Sequence, residues 1–517
     1  MPLHKSTLEI DAVSNSSKVW AFIVGPLLAI AVYFLLPDSF VNASGETTAF
    51  AQAGRACAAV TTLMAFWWFT EALPIAVTAM LPVVLFPLLE VASPGNTMRH
   101  YASGTIFLFL GGFLIAAGVH RWHLDRRIAL LTISLFGTKP NRMILGLMTS
   151  TALISAWVSN TATAAMMVPI GIAVMGVVRA AESGHALEKD THNFEVCVLL
   201  SIAYAASIGG IATLVGSPPN GLFARFVADS YGASVSFLSW MKVALPMTLL
   251  LLPATYFMLT RVLFRVNLPG IPGGREWVKS ELAKLGPMSR GERIVLVVFL
   301  CAAIFWMGGP IIRSLEIGGI MPFKSFSDEA IAMTAGLVLF MIPVDAKRGI
   351  HALDWNSAKD VVAWDVLLLF GGGLSMADAI QKTGLADFIG AQANIFAGFD
   401  ELTMMFGIST LITFASEVTS NTALTATMMP VIAAAADSLR IDPEAPLFAM
   451  VFAASAAFMM PVGTPPNAIV FGTGRLKIGE MVRAGFFLNI IAIIIGVLCS
   501  HFLGHGLIDL SAKVAGG

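Results

Sequence analysis

Apolar and polar positions fall in long blocks along this chain. Near-continuous apolar runs cover Val19–Leu36, Ile75–Val91, Ile106–Val119, Val243–Leu259, Ile294–Ile312, Ala330–Pro343, Val361–Leu374 and Ala484–Leu503. A helix needs roughly 20 mostly apolar residues to cross a bilayer. The pattern therefore predicts an all-α polytopic membrane protein of about ten to twelve segments. The short alternating segments of a membrane β-barrel are absent. The first run follows Lys5 and Lys18 and resembles a signal peptide. It is longer than the usual apolar region of about 7–15 residues, and no A-x-A cleavage site follows cleanly, so a retained first transmembrane helix is expected.

Between the runs, residues 265–293 form the longest polar stretch, with Arg265, Arg275, Lys279, Lys284, Arg290 and Arg293 against Glu276, Glu281 and Glu292. Positive charge marks cytoplasmic loops, so this linker and the N-terminus are expected inside. The loop Asp38–Gln52, without Lys or Arg, is expected outside. Within the linker, residues 273–293 read as an amphipathic cytoplasmic helix lying at the membrane interface.

Composition agrees: 57% of the 517 residues are hydrophobic and 12% charged, with mean hydropathy +0.80, too apolar for a soluble globular protein. The net charge of −1 and the lack of basic runs give no sign of nucleic-acid binding. Cys57, Cys197, Cys301 and Cys499 stand singly in apolar sequence and suit neither disulfides nor a metal site.

Pieces of the first half recur in order in the second. AVTAML (76–81) matches AMTAGL (332–337), and LGGFL (110–114) matches FGGGL (370–374). SNTATAAMMVPIG (159–171) matches SNTALTATMMPVI (420–432), and GSPPNGL (216–222) matches GTPPNAI (463–469). The offsets are 256, 260, 261 and 247 residues. With both N-terminus and linker inside, the two halves enter the membrane from opposite sides. Inverted repeats with a site near the midplane are a transporter signature.

Each SNT triplet interrupts an apolar stretch whose arms are marginal for a full span, which suits a re-entrant hairpin with the triplet at its tip. Ser and Asn cap helix starts, leaving free N–H groups and the positive dipole end at the tip. The consecutive prolines at Pro218-Pro219 and Pro465-Pro466 cannot sit inside a helix, so the backbone unwinds and frees carbonyls. Non-helical backbone at membrane depth lines a cavity or is buried in protein. Carbonyls beside hydroxyls and amide oxygens make a hard-oxygen shell suited to Na⁺, with an anion at the helix starts. Taken singly, an SNT or a PP pair reads as helix glue or a kink; paired and repeated, they read as a site.

These motifs, with WFTEALPIAVTAMLPVVLFPLLEV (68–91) and MMPVGTPPNAIVFGTG (459–474), resemble the divalent anion/sodium symporter family from about Phe66 to Arg483. With both triplets intact, the likeness is closer to the sodium-coupled dicarboxylate branch than to bacterial citrate/succinate antiporters, whose second triplet departs from SNT. The resemblance implies about 11 transmembrane helices plus two opposed hairpins, a homodimer in the cell membrane (a bacterial inner membrane), and an elevator motion of a transport domain against a scaffold. The implied division is a tail and first helix (1–55), first repeat (56–264), linker (265–293), second repeat (294–505) and C-terminal tail (506–517). It implies one sodium site at Ser155, Ser159, Asn160 and the Gly216 carbonyl, and a second at Ser416, Thr419, Ser420, Asn421 and the Gly463 carbonyl. Substrate carboxylates would meet Asn160, Thr161, Ser217, Asn421, Thr422 and Thr464, with Pro218 and Pro465 shaping the pocket.

The implied function is Na⁺-coupled symport of C4-dicarboxylates such as succinate, malate or fumarate. A sodium-independent dicarboxylate exchanger, or a symporter of citrate or sulfate, is the alternative. No Lys or Arg lies in the four motif stretches, so bound Na⁺ and helix ends would balance the dianion. The dead-end hairpins argue against a channel. HExxH, Walker A and rhomboid-like GxSG motifs are absent, so no enzyme activity is expected. Glu417, between Ser416 and Ser420, reads as a proton carrier or sodium ligand on one view and as a structural pin of the hairpin on the preferred one. Trp67, Trp68 and Trp240 read as interface anchors, the glycine pairs at 111–112 and 371–373 as close helix contacts, and His120, His123 and His351 as loop residues.

Overall fold

A computed structural model of the chain describes residues 4–41, 46–137, 139–181, 188–268, 274–316, 320–392 and 398–507. The expected tail beyond residue 507 lies outside these. Among the described residues the fold is helical, with two short antiparallel hairpins, Ser39–Val41 with Thr47–Ala49 and Pro343–Asp345 with Ile350–His351. Among the described residues, five helices are both long and apolar enough to cross a membrane: Pro94–Arg121, Asn160–Arg179, Glu188–Ile211, Phe237–Leu263 and Ile478–Leu503. Val19–Leu35, Ile75–Leu88, Glu401–Ser416 and Glu444–Ala454 are shorter apolar helices.

Local chemistry explains the shortfall from uninterrupted spans. The run Ile75–Val91 breaks into Ile75–Ala79 and Leu81–Leu88, with Pro82 in the first turn of the second piece. The run Ile294–Ile312 splits at Gly308 into Arg290–Met307 and Gly309–Arg313. Ser289 and Glu292 form a capping box that starts Arg290–Met307. The helix Phe237–Phe257 relaxes into a π-turn over Met258–Leu263.

The two halves of the chain interleave. Helix Gly104–Arg121 packs along Asp328–Met341, and Ile75–Ala79 packs against Trp364–Lys382. Glycine makes both approaches possible. A Cβ at Gly111 would stand 2.4 Å from the Ala332 carbonyl carbon, and one at Gly372 would stand 2.2 Å from the Ala79 carbonyl oxygen. Next to the latter, the Tyr101 hydroxyl donates to the Ala79 carbonyl at 2.5 Å, and its ring fills the space beside Gly371.

The polar linker forms the helix Gly274–Leu285, which packs against Leu124–Phe136. Arg126 pairs with Glu281 at 2.9 Å, while Arg127 pairs with Glu292 at 2.6 Å and donates to the Gly286 carbonyl at 3.1 Å. Two sequence expectations need correction here, the tryptophans and His120, which lies in the last turn of helix Gly104–Arg121 rather than in a loop. Trp67, Trp68 and Trp240 are not interface anchors, because all three are buried. Trp68 donates to the Ile75 carbonyl and Trp240 to the Ile211 carbonyl, so each indole N–H finds a backbone partner inside the protein, and Trp240 closes the open end of helix Glu188–Ile211. Cys57, Cys197 and Cys499 are buried as small core residues, but Cys301 is exposed, and all four are free thiols.

Candidate functional site

The first SNT triplet sits between helices Pro140–Ser155 and Asn160–Ala181, and the second between Glu401–Ser416 and Asn421–Ser438. The two 16-residue leading arms would each rise about 24 Å at 1.5 Å per residue, short of the ~30 Å hydrocarbon core. In the second hairpin Ser420 is the N-cap, accepting from the Ala423 N–H at 3.4 Å. In the first, the Ser159 carbonyl accepts from the Thr163 N–H at 2.9 Å. Asn160 and Asn421 thus open their helices, with their side chains at the tips.

Beside each hairpin a helix breaks. Glu188–Ile211 stops, and Pro218–Tyr231 starts after an irregular stretch with Ser217 as N-cap. Glu444–Ala454 stops, and Pro465–Phe471 starts with Thr464 as N-cap. Each proline pair occupies the first turn of the new helix, where the missing N–H costs nothing.

The breaks are braced by two asparagines that sequence reading left unassigned. Asn220 is fully buried, and its side-chain amide donates to the Gly210 and Thr213 carbonyls at 2.9 and 2.7 Å. Asn467, also fully buried, donates to the Ala457 and Met460 carbonyls at 3.1 and 3.0 Å. In both cases the acceptors lie ten and seven residues upstream. The recurrence of PPN in both halves was the available signal.

At the first site, Ser155 is buried and its hydroxyl lies 2.6 Å from Asn160 Oδ1 and 2.7 Å from the Ala206 carbonyl. The Asn160 amide presses on Gly210, where a Cβ would come within 2.3 Å of Oδ1. A Cβ at Gly216 would meet the Gly210 and Ala156 carbonyl oxygens at 2.6 and 3.0 Å, and Thr213 donates to that same Ala156 carbonyl. The structure therefore brings Ser155, Asn160 and Gly216 into one cluster of oxygens around Gly210. Ser217 is buried beside it, Ser159 is half-buried at the tip, and Thr161 is exposed.

At the second site, the Ser416 and Thr419 hydroxyls donate back to the Thr413 and Ala415 carbonyls, leaving their lone pairs free. Asn421 Oδ1 and the Thr464 hydroxyl are shielded from solvent and have no hydrogen-bond partner. Orphaned buried oxygens of this kind cost about 1–3 kcal/mol each unless a ligand meets them. Gly463 lies against the Glu417 backbone carbonyl and carboxylate, which a Cβ placed there would meet at 3.3 and 3.2 Å. Thr422 is half-buried, Pro218 half-buried and Pro465 exposed.

Glu417 is the one ionisable side chain in these stretches. It is buried and accepts from the Phe458, Met459 and Met460 N–H groups at 2.8, 2.9 and 2.8 Å, and from the Asn489 amide at 2.7 Å. It caps the exposed amides of the second break.

The hairpins and breaks of the two halves share one neighbourhood. Asn160–Ala181 packs against Pro465–Phe471, and Asn421–Ser438 packs against Pro218–Tyr231. A cavity of about 640 Å³, lined by Lys189, Asn193, Arg265 and Arg483 among others, opens elsewhere, where the starts of Glu188–Ile211 and Ile478–Leu503 meet the end of the π-turn.

Comparison with known proteins places this architecture. The family model described as "Sodium:sulfate symporter transmembrane region" matches residues 17–510. The Sodium-dependent dicarboxylate transporter SdcS of Staphylococcus saprophyticus is 36% identical over 491 residues, 95% of this chain and 92% of that protein. SdcS of Staphylococcus aureus is 36% identical over 446 residues, 86% of this chain and 85% of that protein. The crystal structure of the Alcanivorax borkumensis YdaH transporter superimposes with a TM-score of 0.58 at 14% identity, covering 95% of this chain and 98% of that one, a likeness of fold alone. A match of the family model across nearly the whole sequence, with relatives aligned almost end to end, establishes that the chain belongs to the divalent anion/sodium symporter family, as a multi-pass membrane transporter.

Proposed function

We propose that this protein imports C4-dicarboxylates such as succinate, malate or fumarate by symport with Na⁺. The observation that carries the reading is a site built of neutral oxygens. Ser155, Asn160, Asn421 and Thr464 converge on two broken helices, no Lys or Arg lies in the motif stretches, and the only charge at the hairpin tips and helix breaks is the acidic Glu417. A dianion entering such a site meets no fixed cation, and an unneutralised charge in a dry environment is very costly. Two Na⁺ ions supply the balance. One is held by Ser155, Ser159, Asn160 and the Gly216 carbonyl, the other by Ser416, Thr419, Ser420, Asn421 and the Gly463 carbonyl. The substrate then lies between the tips against Asn160, Thr161, Ser217, Asn421, Thr422 and Thr464, with Pro218 and Pro465 at its edge. The names of the SdcS relatives support both the ion and the substrate class.

The reading includes a homodimer in a bacterial inner membrane with the N-terminus inside, and an elevator step in which hairpins and broken helices move as one body. The shared neighbourhood of the two hairpins supports that step. The test is labelled-succinate uptake into empty proteoliposomes under an inward Na⁺ gradient, against K⁺ or choline. Accumulation only with Na⁺ is expected. Uptake that needs unlabelled dicarboxylate inside would make the protein an exchanger. Uptake of sulfate or citrate in preference would move the substrate class, sulfate being the anion in the family model's description.

A further inference from the structure

A second cluster of chemistry-bearing side chains lies away from the hairpin tips. Glu401 opens the first arm of the second hairpin, while His501 sits in the last turn of Ile478–Leu503 and His505 just beyond it. His501 Nδ1 lies 3.8 Å and His505 Nε2 3.2 Å from Glu401 Oε1, and one ligand atom from each of the three residues falls within 4.8 Å of the others. Close as they are, Glu401 Oε1 and His501 Nδ1 make no hydrogen bond, though both atoms are shielded from solvent.

We infer that Glu401, His501 and His505 form a binding site for a divalent transition cation of the zinc class. Metal–nitrogen and metal–oxygen bonds of about 2.0–2.2 Å in a tetrahedron place ligand atoms roughly 3.3 Å apart. The two histidine–carboxylate separations of 3.2 and 3.8 Å already lie near that value, and with all three atoms within 4.8 Å of one another, rotation of the side chains closes the set. Two imidazoles and a carboxylate with a fourth position open to water suit Zn²⁺, Co²⁺ or Ni²⁺, whereas Na⁺ prefers oxygen alone. The remaining nitrogen of His505, Nδ1, faces Asp442 Oδ2 at 3.4 Å. A carboxylate on the far side of a ligating imidazole fixes its tautomer and orientation, as metal sites commonly require. His505 is exposed, so a cation reaches the site from solvent. Once there, it ties the entrance of the second hairpin to the last helix. Glu444 already pins the turn that follows this helix by accepting the Gly506 and Leu507 N–H groups at 3.0 and 3.1 Å.

The test uses the full chain in detergent, with any affinity tag removed and metal stripped by chelator, titrated with Co²⁺ in excess Na⁺. One saturable Co²⁺ per chain is expected, with the intense visible bands of a four-coordinate ion, displaced by Zn²⁺. His501→Ala and His505→Ala should abolish the bands. Asp442→Asn removes no ligand and should weaken binding about 10–100-fold with the stoichiometry unchanged. It also keeps the test decisive if a histidine variant misfolds. Absence of saturable visible bands, or bands unchanged in the variants, would overturn the inference.

Discussion

Replacing Glu417 by Gln tests whether this buried carboxylate pins the backbone or serves the ions. Its two oxygens accept from four donors. Oε1 takes the Phe458 and Met459 N–H groups and the Asn489 amide, and Oε2 takes Met460 and shares Met459. A carboxylate offers about four lone-pair sites, so none is left for a cation. Glutamine keeps one oxygen. In its better orientation the new NH₂ confronts the Met460 N–H, leaving both that N–H and the amide's own hydrogens without an acceptor, at about 1–3 kcal/mol for each unpaired group. The surviving bonds lose their charge assistance, about 1 kcal/mol apiece, and the easier burial of a neutral side chain offsets part of this. The net loss is about 2–4 kcal/mol of stability. Thermal unfolding in detergent, followed by tryptophan fluorescence, should show a lower midpoint and a lower folded yield. In the folded fraction, the Na⁺ concentration for half-maximal uptake should rise only a few-fold, through loss of the carboxylate's through-space field rather than of a bond to the ion. An unchanged midpoint with a rise of about tenfold or more would refute the counting argument and make Glu417 an ion ligand.

Other substitutions isolate other parts of the architecture. Asn220→Ala and Asn467→Ala each remove two hydrogen bonds at a helix break, stranding the Gly210 or Ala457 carbonyl while the Thr213 and Met460 carbonyls keep the Gly216 and Gly463 N–H groups, and should cost about 1–3 kcal/mol with loss of uptake, read by thermal midpoint and transport. Gly372→Ala drives a Cβ to 2.2 Å from the Ala79 carbonyl oxygen, so overpacking of about 1–3 kcal/mol or more is expected. Gly112→Ala meets only Val215 side-chain atoms at 3.5 Å and should be tolerated, so equal midpoints for the pair would refute the packing argument. At the linker, the Lys284 ammonium bonded to Glu281 holds its carboxyl below the usual value of 4.5 against the opposing effect of burial, with Arg126 adding to the pull. A depressed carboxyl contributes stability above its unfolded value and loses it as pH falls through the folded one. The helix Gly274–Leu285 should therefore stay docked at neutral pH and loosen below about pH 4.5. Hydrogen exchange of its amides against pH checks this, and Glu281→Gln should flatten the dependence.

The sequence disclosed what repeats or stays local. Hairpin tips, proline breaks and the tight glycines were legible because a triplet, a proline pair or a glycine pair changes the backbone where it stands. What escaped was set by partners distant along the chain. Trp240 reads as an interface residue until Ile211, 29 residues upstream, presents it with a carbonyl. Asn220 and Asn467 are ordinary motif letters until their amides fold back across a break. Glu417 reads as a structural pin from its place in the hairpin, but the groups it pins, the amides of 458–460 and Asn489, lie 41–72 residues downstream. Glu401 gains its partners from about 100 residues downstream, beyond the reach of any local pattern.

The two halves also differ in a way that matching motifs conceal. The asparagine brace recurs with the same spacing, but the pins beside it do not. In the first half Ala156 stands three residues before the SNT serine, and its carbonyl accepts from Thr213. In the second half Glu417 holds the corresponding place and reaches three backbone N–H groups directly. A hydroxyl-to-carbonyl contact leaves Ser155 and Asn160 to present neutral oxygens close together at the first site. A saturated carboxylate places a full negative charge behind Asn421 and Thr464 without offering them a bond. The field at the second tip is therefore the more negative, and a cation bound there gains electrostatic stabilisation that the first tip lacks. If both tips hold Na⁺, the second should fill at the lower concentration. Asn421→Ala should then raise the half-saturating Na⁺ concentration more than Asn160→Ala does, and the reverse order would show that the Glu417 charge is fully neutralised by its own donors.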